Sequence, residues 1–272
     1  MDIRNCDGID LLNTIQDGSV DLFLTDPPYI ISRESGMNKL RDAIDSDQDL
    51  SKTEDEWKVF LEKNKDVKMA KNAKENFLKY GTIYGKKYAV KTKYGQWDED
   101  FTLGKLEEFI ELFYKKLKPG GTCIVWFDWE KITPLVQMMK KNKFKQSRWF
   151  VWVKTNPQPL NSKINYLSNA KEIAVSFVKK NKATYNSSYN KGVYFYPIAA
   201  GKNRFHPTQK SLPLFEELIK EHTNEGDLVV DTFLGGGTTA VAAKRTGRRF
   251  IGSEIDPEFF KLLKNVVDNE GT

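Results

Sequence analysis

Short apolar runs alternate along this chain with longer stretches in which apolar residues recur every three or four positions. Residues 1–6, 20–25, 122–127, 228–233 and 249–254 are runs of the first kind and read as buried strands. Residues 8–15, 103–117, 132–141, 213–222 and 257–268 are of the second kind. In 103–117 the stripe is Leu103, Leu106, Phe109, Ile110, Phe113 and Leu117, and Pro119-Gly120-Gly121 ends it. Strands alternating with amphipathic helices predict an α/β fold around a mostly parallel sheet. Residues 148–153 and 171–178 lack an intervening helical pattern and predict an antiparallel pair closing one edge.

The pattern breaks between residues 31 and 95. The start of this stretch is acidic and poor in apolar residues, and Ser32-Arg33-Glu34-Ser35-Gly36 reads as a loop. Thr53-Glu54-Asp55-Glu56 then offers a capping hydroxyl followed by acids, a helix start. Trp57, Phe60, Leu61, Ala70, Ala73 and Phe77 follow at roughly helical spacing, and 81–93, with Gly, Tyr and Lys, reads as a loop. The expectation is one domain over 1–272 carrying a helical and loop insertion at 31–95.

Two strand ends carry candidate chemistry. Behind the run 20–25 stands Asp26-Pro27-Pro28-Tyr29. It delivers a carboxylate, two φ-locked residues with free carbonyls and an aromatic ring to a strand's carboxyl end, where α/β proteins bind ligands. Acceptors beside an aromatic face suit a flat heterocycle with an exocyclic amino group. Behind the run 228–233 stands Leu234-Gly235-Gly236-Gly237-Thr238-Thr239, then a helical pattern. A strand, a glycine turn and a helix start bind nucleotide-type cofactors, and Glu254 ends the next strand about 20 residues on, the spacing of a carboxylate that holds ribose hydroxyls.

Together these blocks resemble the permuted β class of S-adenosylmethionine-dependent DNA amino-methyltransferases, in which the catalytic motif precedes the cofactor motif. The resemblance also rests on Asn5-Cys6-Asp7-Gly8, Trp97-Asp98, Trp152-Val153-Lys154-Thr155-Asn156-Pro157-Gln158-Pro159 and His206-Pro207-Thr208-Gln209-Lys210. It runs over nearly the whole chain apart from roughly 31–95. It implies a Rossmann-like methyltransferase sheet and S-adenosylmethionine as cofactor. Asp26, Pro27, Pro28 and Tyr29 are then the catalytic group, with Tyr29 stacking on a base flipped out of the duplex. Cys6 and Asp7 fall on the adenine side of the cofactor and Glu254 on its ribose. Asp231, Phe233, Gly235, Gly237, Thr238 and Lys210 fall on the methionine side, Asp231 having a competing structural role. Two positions depart from the family: Asp231-Thr232-Phe233 replaces Asp-Pro-Phe, and Gly235-Gly236-Gly237 replaces Gly-Ser-Gly. Asp ahead of Pro-Pro-Tyr resembles the adenine-N6 branch; the alternatives are cytosine-N4 methylation, methylation of RNA or a protein glutamine, and a DNA-binding module with a decayed site.

Composition adds the partner. The net charge is +6, and its distribution says more than its size. Residues 1–56 hold 14 acidic against five basic side chains, whereas 140–182 hold 11 basic and one acidic. Blocks of one sign suit a surface laid along phosphates. Residues 179–210 interleave Tyr185, Tyr189, Tyr194, Phe195 and Tyr196 with cations, so 183–205 is the expected target-recognition segment on double-stranded DNA. Single-stranded DNA and a homodimer stay open. Two cysteines and two histidines, far apart, predict no metal site. The lack of an 18-residue apolar run or a leader signal predicts a cytoplasmic protein with no membrane partner.

Overall fold

In the computed structural model, the described residues are 1–28, 51–64, 69, 71–80, 83, 101–157, 170–199 and 209–270. Chain contacts divide it into two compact units, Met1–Ile30 with Gly95–Thr272, and Ile31–Tyr94.

The larger unit begins with β1 (Asp2–Asn5), α1 (Gly8–Thr14) and β2 (Val20–Thr25). After the smaller unit it continues through α4 (Leu103–Lys116), β3 (Leu117–Phe127), a 3-10 turn at Trp129–Lys131 and α5 (Ile132–Lys141). Then come β4 (Lys145–Lys154), β5 (Lys171–Val178), β6 (Val193–Tyr196) and α6 (Leu212–His222). The cofactor-type half closes the chain: β7 (Leu228–Asp231), α7 (Thr238–Arg245), β8 (Arg249–Glu254) and α8 (Pro257–Asn269). The strands form one sheet in the order β1-β8-β7-β2-β3-β5-β4-β6. Among the described strands, only β5 runs against its neighbours, pairing antiparallel with both β3 and β4, while β4 and β6 are parallel.

Sequence alternation explains the layers. On one face Phe23, Cys123, Val125, Phe127, Val175 and Val230 pack with Leu11 and Leu12 of α1, Leu106, Phe109 and Phe113 of α4, and Leu135 and Met139 of α5. On the other, Leu22, Leu24, Ile124, Trp126, Trp152 and Val229 pack with Leu214, Phe215 and Leu218 of α6, with α7 and with Leu263 and Val267 of α8. Successive side chains of β2 and β3 point to opposite helix layers, so the runs Leu22–Leu24 and Cys123–Phe127 are apolar on both faces.

The expected antiparallel pair is present, but it does not end the sheet. β6, within the expected recognition segment 183–205, lies outside β4. β3 is longer than predicted, since it starts at Leu117 directly after α4 and carries Pro119-Gly120-Gly121 within it. Its register against β2 slips between Val20 and Leu22, which accommodates that run.

The smaller unit holds α2 (Glu54–Lys63) and α3 (Ala73–Tyr80). The helix start at Thr53 is a full capping box with Glu56. Trp57, Phe60 and Phe77 join the two helices, with ring centroids 4.8–5.6 Å apart. The expected loops at 32–36 and most of 81–93 lie outside the described residues.

Candidate active site

Parallel β1, β8, β7 and β2 all end at one edge of the sheet, and the candidate carboxylates stand there in a row. Asn5 pairs with Glu254 and Asp231 with Gly252. Thr25, the last residue of β2, donates its hydroxyl to Asp231 Oδ1 at 2.8 Å. The catalytic-type strand end and the glycine-turn strand end are therefore hydrogen-bonded to one another.

Asp26 follows Thr25 with its side chain four-fifths buried (20% exposed). Oδ2 takes an ion pair from Lys210 Nζ at 2.9 Å, while Oδ1 is buried and accepts no hydrogen bond. Burial pushes its carboxyl up to about 6, against the downward pull of Lys210. Lys210 also reaches Glu172 Oε2 at 2.6 Å, and Lys154 reaches Glu172 Oε1 at 2.7 Å. Glu172 can join because β5 is reversed, which brings its amino end to the edge where the other strands finish. Pro27 is buried and Pro28 half-buried; Tyr29 lies outside the described residues.

The glycine turn runs from Asp231 into α7. Gly235 and Gly237 have φ of 46° and 71°, left-handed values that glycine adopts without strain. Glu254 fixes the turn from the next strand: Oε2 accepts from Gly235 N at 2.7 Å and Oε1 from Asp256 N at 2.9 Å. Burial raises its carboxyl above the usual range despite these bonds. Phe233 is half-buried against Phe101 and Phe109, with centroids 5.4 and 4.7 Å away. Thr238 opens α7 and donates to the Lys210 carbonyl at 3.4 Å. Lys210 thus spans the two motifs, its backbone on the glycine turn and its ammonium on Asp26.

The DNA methylase family model matches residues 20–265. The chain belongs to this N6/N4 DNA methylase family. Curated relatives of this methylase include the type II methyltransferase M2.DpnII of Streptococcus pneumoniae, 32% identical over 65% of the chain and 72% of the relative. M2.MboI of Moraxella bovis is 27% identical over 96% and 84%. Among solved structures, the M1.HpyAVI complex with S-adenosylmethionine superposes with a TM-score of 0.62 at 25% identity, covering 97% of this chain and 98% of that one. The cytosine-N4-specific PvuII methyltransferase shares the fold, with a TM-score of 0.64 at 18% identity over 96% and 84%. The methylase uses S-adenosylmethionine and acts on DNA.

The residues at the edge fit that cofactor. It joins a cation, an amino acid and a nucleoside, and so needs acceptors, donors and open backbone together. Beyond the fixed Glu254 carboxylate and the bare glycine turn, Asp26 Oδ1, Gln209 Oε1, Ser211 Oγ and Thr232 Oγ1 are buried without a hydrogen-bond partner. All four belong to segments that converge on this edge. Buried polar atoms are normally satisfied, so such a group marks a place for a polar ligand.

Two expected cofactor residues are engaged differently. Asp231 accepts from Thr25, Phe233 N and Thr239, the last at 2.6 Å, and so ties the loop to the sheet. The Lys210 ammonium sits on Asp26 and Glu172. Asp7 caps α1 by accepting from Ile9 N at 2.7 Å, just beyond the β1 end that pairs with Glu254. Cys6 is half-buried beside it, its thiol raised by burial.

The expected recognition segment divides its aromatics. Tyr194 and Tyr196 donate to Glu221 and Glu217 of α6, at 2.7 and 2.5 Å. Tyr185, Tyr189 and Phe195 are exposed, as is Trp129 on the turn after β3. Glu172 and Trp129 were missed in the sequence, although Glu172 is the one acid in the basic run 140–182. Among the described residues, no helix is long and apolar enough to cross a membrane, and no three His, Cys, Asp or Glu side chains gather as a metal site.

Proposed function

We propose that the methylase modifies the exocyclic N6 of adenine in duplex DNA, with Asp26 and the Pro27 carbonyl accepting the two amino protons. That nitrogen is a poor nucleophile because its lone pair is delocalised into the ring. Two fixed acceptors draw it toward a tetrahedral geometry, and the rate gain comes from positioning and electrostatics. Asp26 need not take a proton before transfer: the nitrogen becomes acidic once methylated and releases its proton afterwards. The single observation supporting this reading is the unpartnered Asp26 Oδ1 on a strand end bonded to the glycine-turn strand. Adenine rather than cytosine is what the resemblance of Asp ahead of Pro-Pro-Tyr to the adenine-N6 branch implies.

When bound, S-adenosylmethionine supplies the methyl group as a sulfonium. Glu254 would hold its ribose hydroxyls, Asp7 and Cys6 the adenine side, and Phe233, the glycine turn and Thr238 the methionine side. The target base must leave the stack to reach Asp26, and Tyr29 would stack on it. Exposed Tyr185, Tyr189, Phe195 and Trp129, with the basic surface of 140–182, would contact the duplex. A cytoplasmic location suits such a substrate. Labelled cofactor, mixed-sequence DNA and digestion to nucleosides test the reading: label in N6-methyladenine supports it, and label in N4-methylcytosine overturns the assigned branch.

A further inference from the structure

The ion pairs behind Asp26 form an alternating ladder, Lys154–Glu172–Lys210–Asp26, with successive contacts of 2.7, 2.6 and 2.9 Å. All four side chains are at least four-fifths buried. An ammonium paired with a single carboxylate is a compact point charge, free to ride across both oxygens. Here a second carboxylate draws Lys210 to one side. It meets Asp26 at Oδ2 only, and Oδ1 is left without a partner. The Trp126 ring, 5.7 Å from Lys210 Nζ, borders the ammonium.

We propose that Glu172 is a positioning residue for Asp26: by sharing Lys210 between two carboxylates, it keeps the ammonium on Oδ2 and reserves Oδ1 for the substrate's amino group. The proposal rests on the reading of Asp26 as the amino-group acceptor. Lys154 is the outer member of the ladder and keeps Glu172 charged. Burial works against that charge, but Lys210 and Lys154 outweigh it and hold the Glu172 carboxyl below its ordinary range. The charged groups facing Asp26 are Lys210 from the segment before α6, Glu172 of β5 and Asp231 of β7, with Lys154 of β4 acting through Glu172.

Glu172→Gln keeps the length of the side chain and an acceptor oxygen for Lys210 while removing the charge. Asp26 then loses a repelling neighbour, and Lys210 is drawn less strongly toward β5. Its ionised form is favoured, so the acid limb of single-turnover methyl transfer moves to lower pH. The plateau rate falls about tenfold as Lys210 competes for Oδ1. Lys210→Met leaves the buried carboxylate unpaired and moves the limb to higher pH. Cofactor Kd and KM for DNA stay within about twofold in Glu172→Gln, as expected of a change confined to the transfer step. A second readout does not need turnover: the carboxyl resonance of Asp26 in carbon-13 aspartate-labelled protein, assigned by its loss in Asp26→Asn. Opposite shifts of that titration in Glu172→Gln and Lys210→Met bear the proposal out. An unmoved titration in Glu172→Gln, or a shift in the same direction as Lys210→Met, overturns it and leaves Glu172 a tie between β4 and β5. Absence of methyl transfer at every pH would defeat the reading of Asp26, while the titration would still decide the ladder.

Discussion

Burial and Lys210 pull the proton affinity of Asp26 in opposite directions, and burial prevails. Its carboxyl therefore titrates at about 6, above the ordinary aspartate value. The acceptor role needs the ionised form, so methyl transfer should be flat above neutrality and fall as pH drops through that value. A pH–rate profile whose acid limb lies near pH 4 would contradict the burial argument. Asp26→Asn removes the charged acceptor and should lower the transfer rate by about 100-fold or more, with cofactor and DNA affinities within a few-fold. Glu254 is a different case, because its carboxylate is fixed by two backbone N–H groups before any ligand arrives. Glu254→Gln should weaken cofactor binding by about tenfold or more in calorimetry, the scale of a lost hydrogen bond to a charged group.

Among the elements, the junction of β7, β8 and β2 carries the site. Asp231 satisfies two hydroxyls and one backbone N–H in a buried setting. Asp231→Ala should reduce unfolding free energy by about 2–4 kcal/mol in denaturant titrations without cofactor, since it strands buried donors. Unchanged stability would return Asp231 to a ligand role. Gly252 is fixed by close approach: a Cβ there would lie 2.8 Å from the Asp231 carbonyl and 2.7 Å from Phe250 Cζ. Gly252→Ala should lower stability by about 1–3 kcal/mol, the range for overpacking. The helices and central strands were legible because each buries a continuous stripe, and 20–25, 132–141, 171–178 and 249–254 match observed elements end to end. β6 was not legible. It has four residues, and the pattern of Tyr194 and Tyr196 looked like aromatics offered to DNA; two glutamates on α6, far off in sequence, turn them inward. The Asp26–Lys210–Glu172 contacts were equally hidden, because they join segments whose spacing along the chain carries no signal.

At the scale of the whole molecule, one reversed strand and one long insertion leave the permuted order intact. The Asp-Pro-Pro-Tyr motif comes first and the glycine-turn motif last, and the parallel pairing of β2 with β7 brings the two strand ends to one edge. Basic residues between 140 and 182 should make DNA binding fall steeply with salt, by at least about tenfold between 50 and 200 mM. Binding that is flat over that range would remove this surface from the account. The most direct test of the central claim, that this edge carries transfer to an amino nitrogen, is mass analysis of nucleosides from DNA incubated with the protein and methyl-labelled cofactor. The account predicts label in N6-methyladenine with wild-type protein and, over the same initial period, about a hundredth of it or less with Asp26→Asn. Label at the wild-type rate with Asp26→Asn, or label that lies on ring carbon instead of an amino nitrogen, would contradict it.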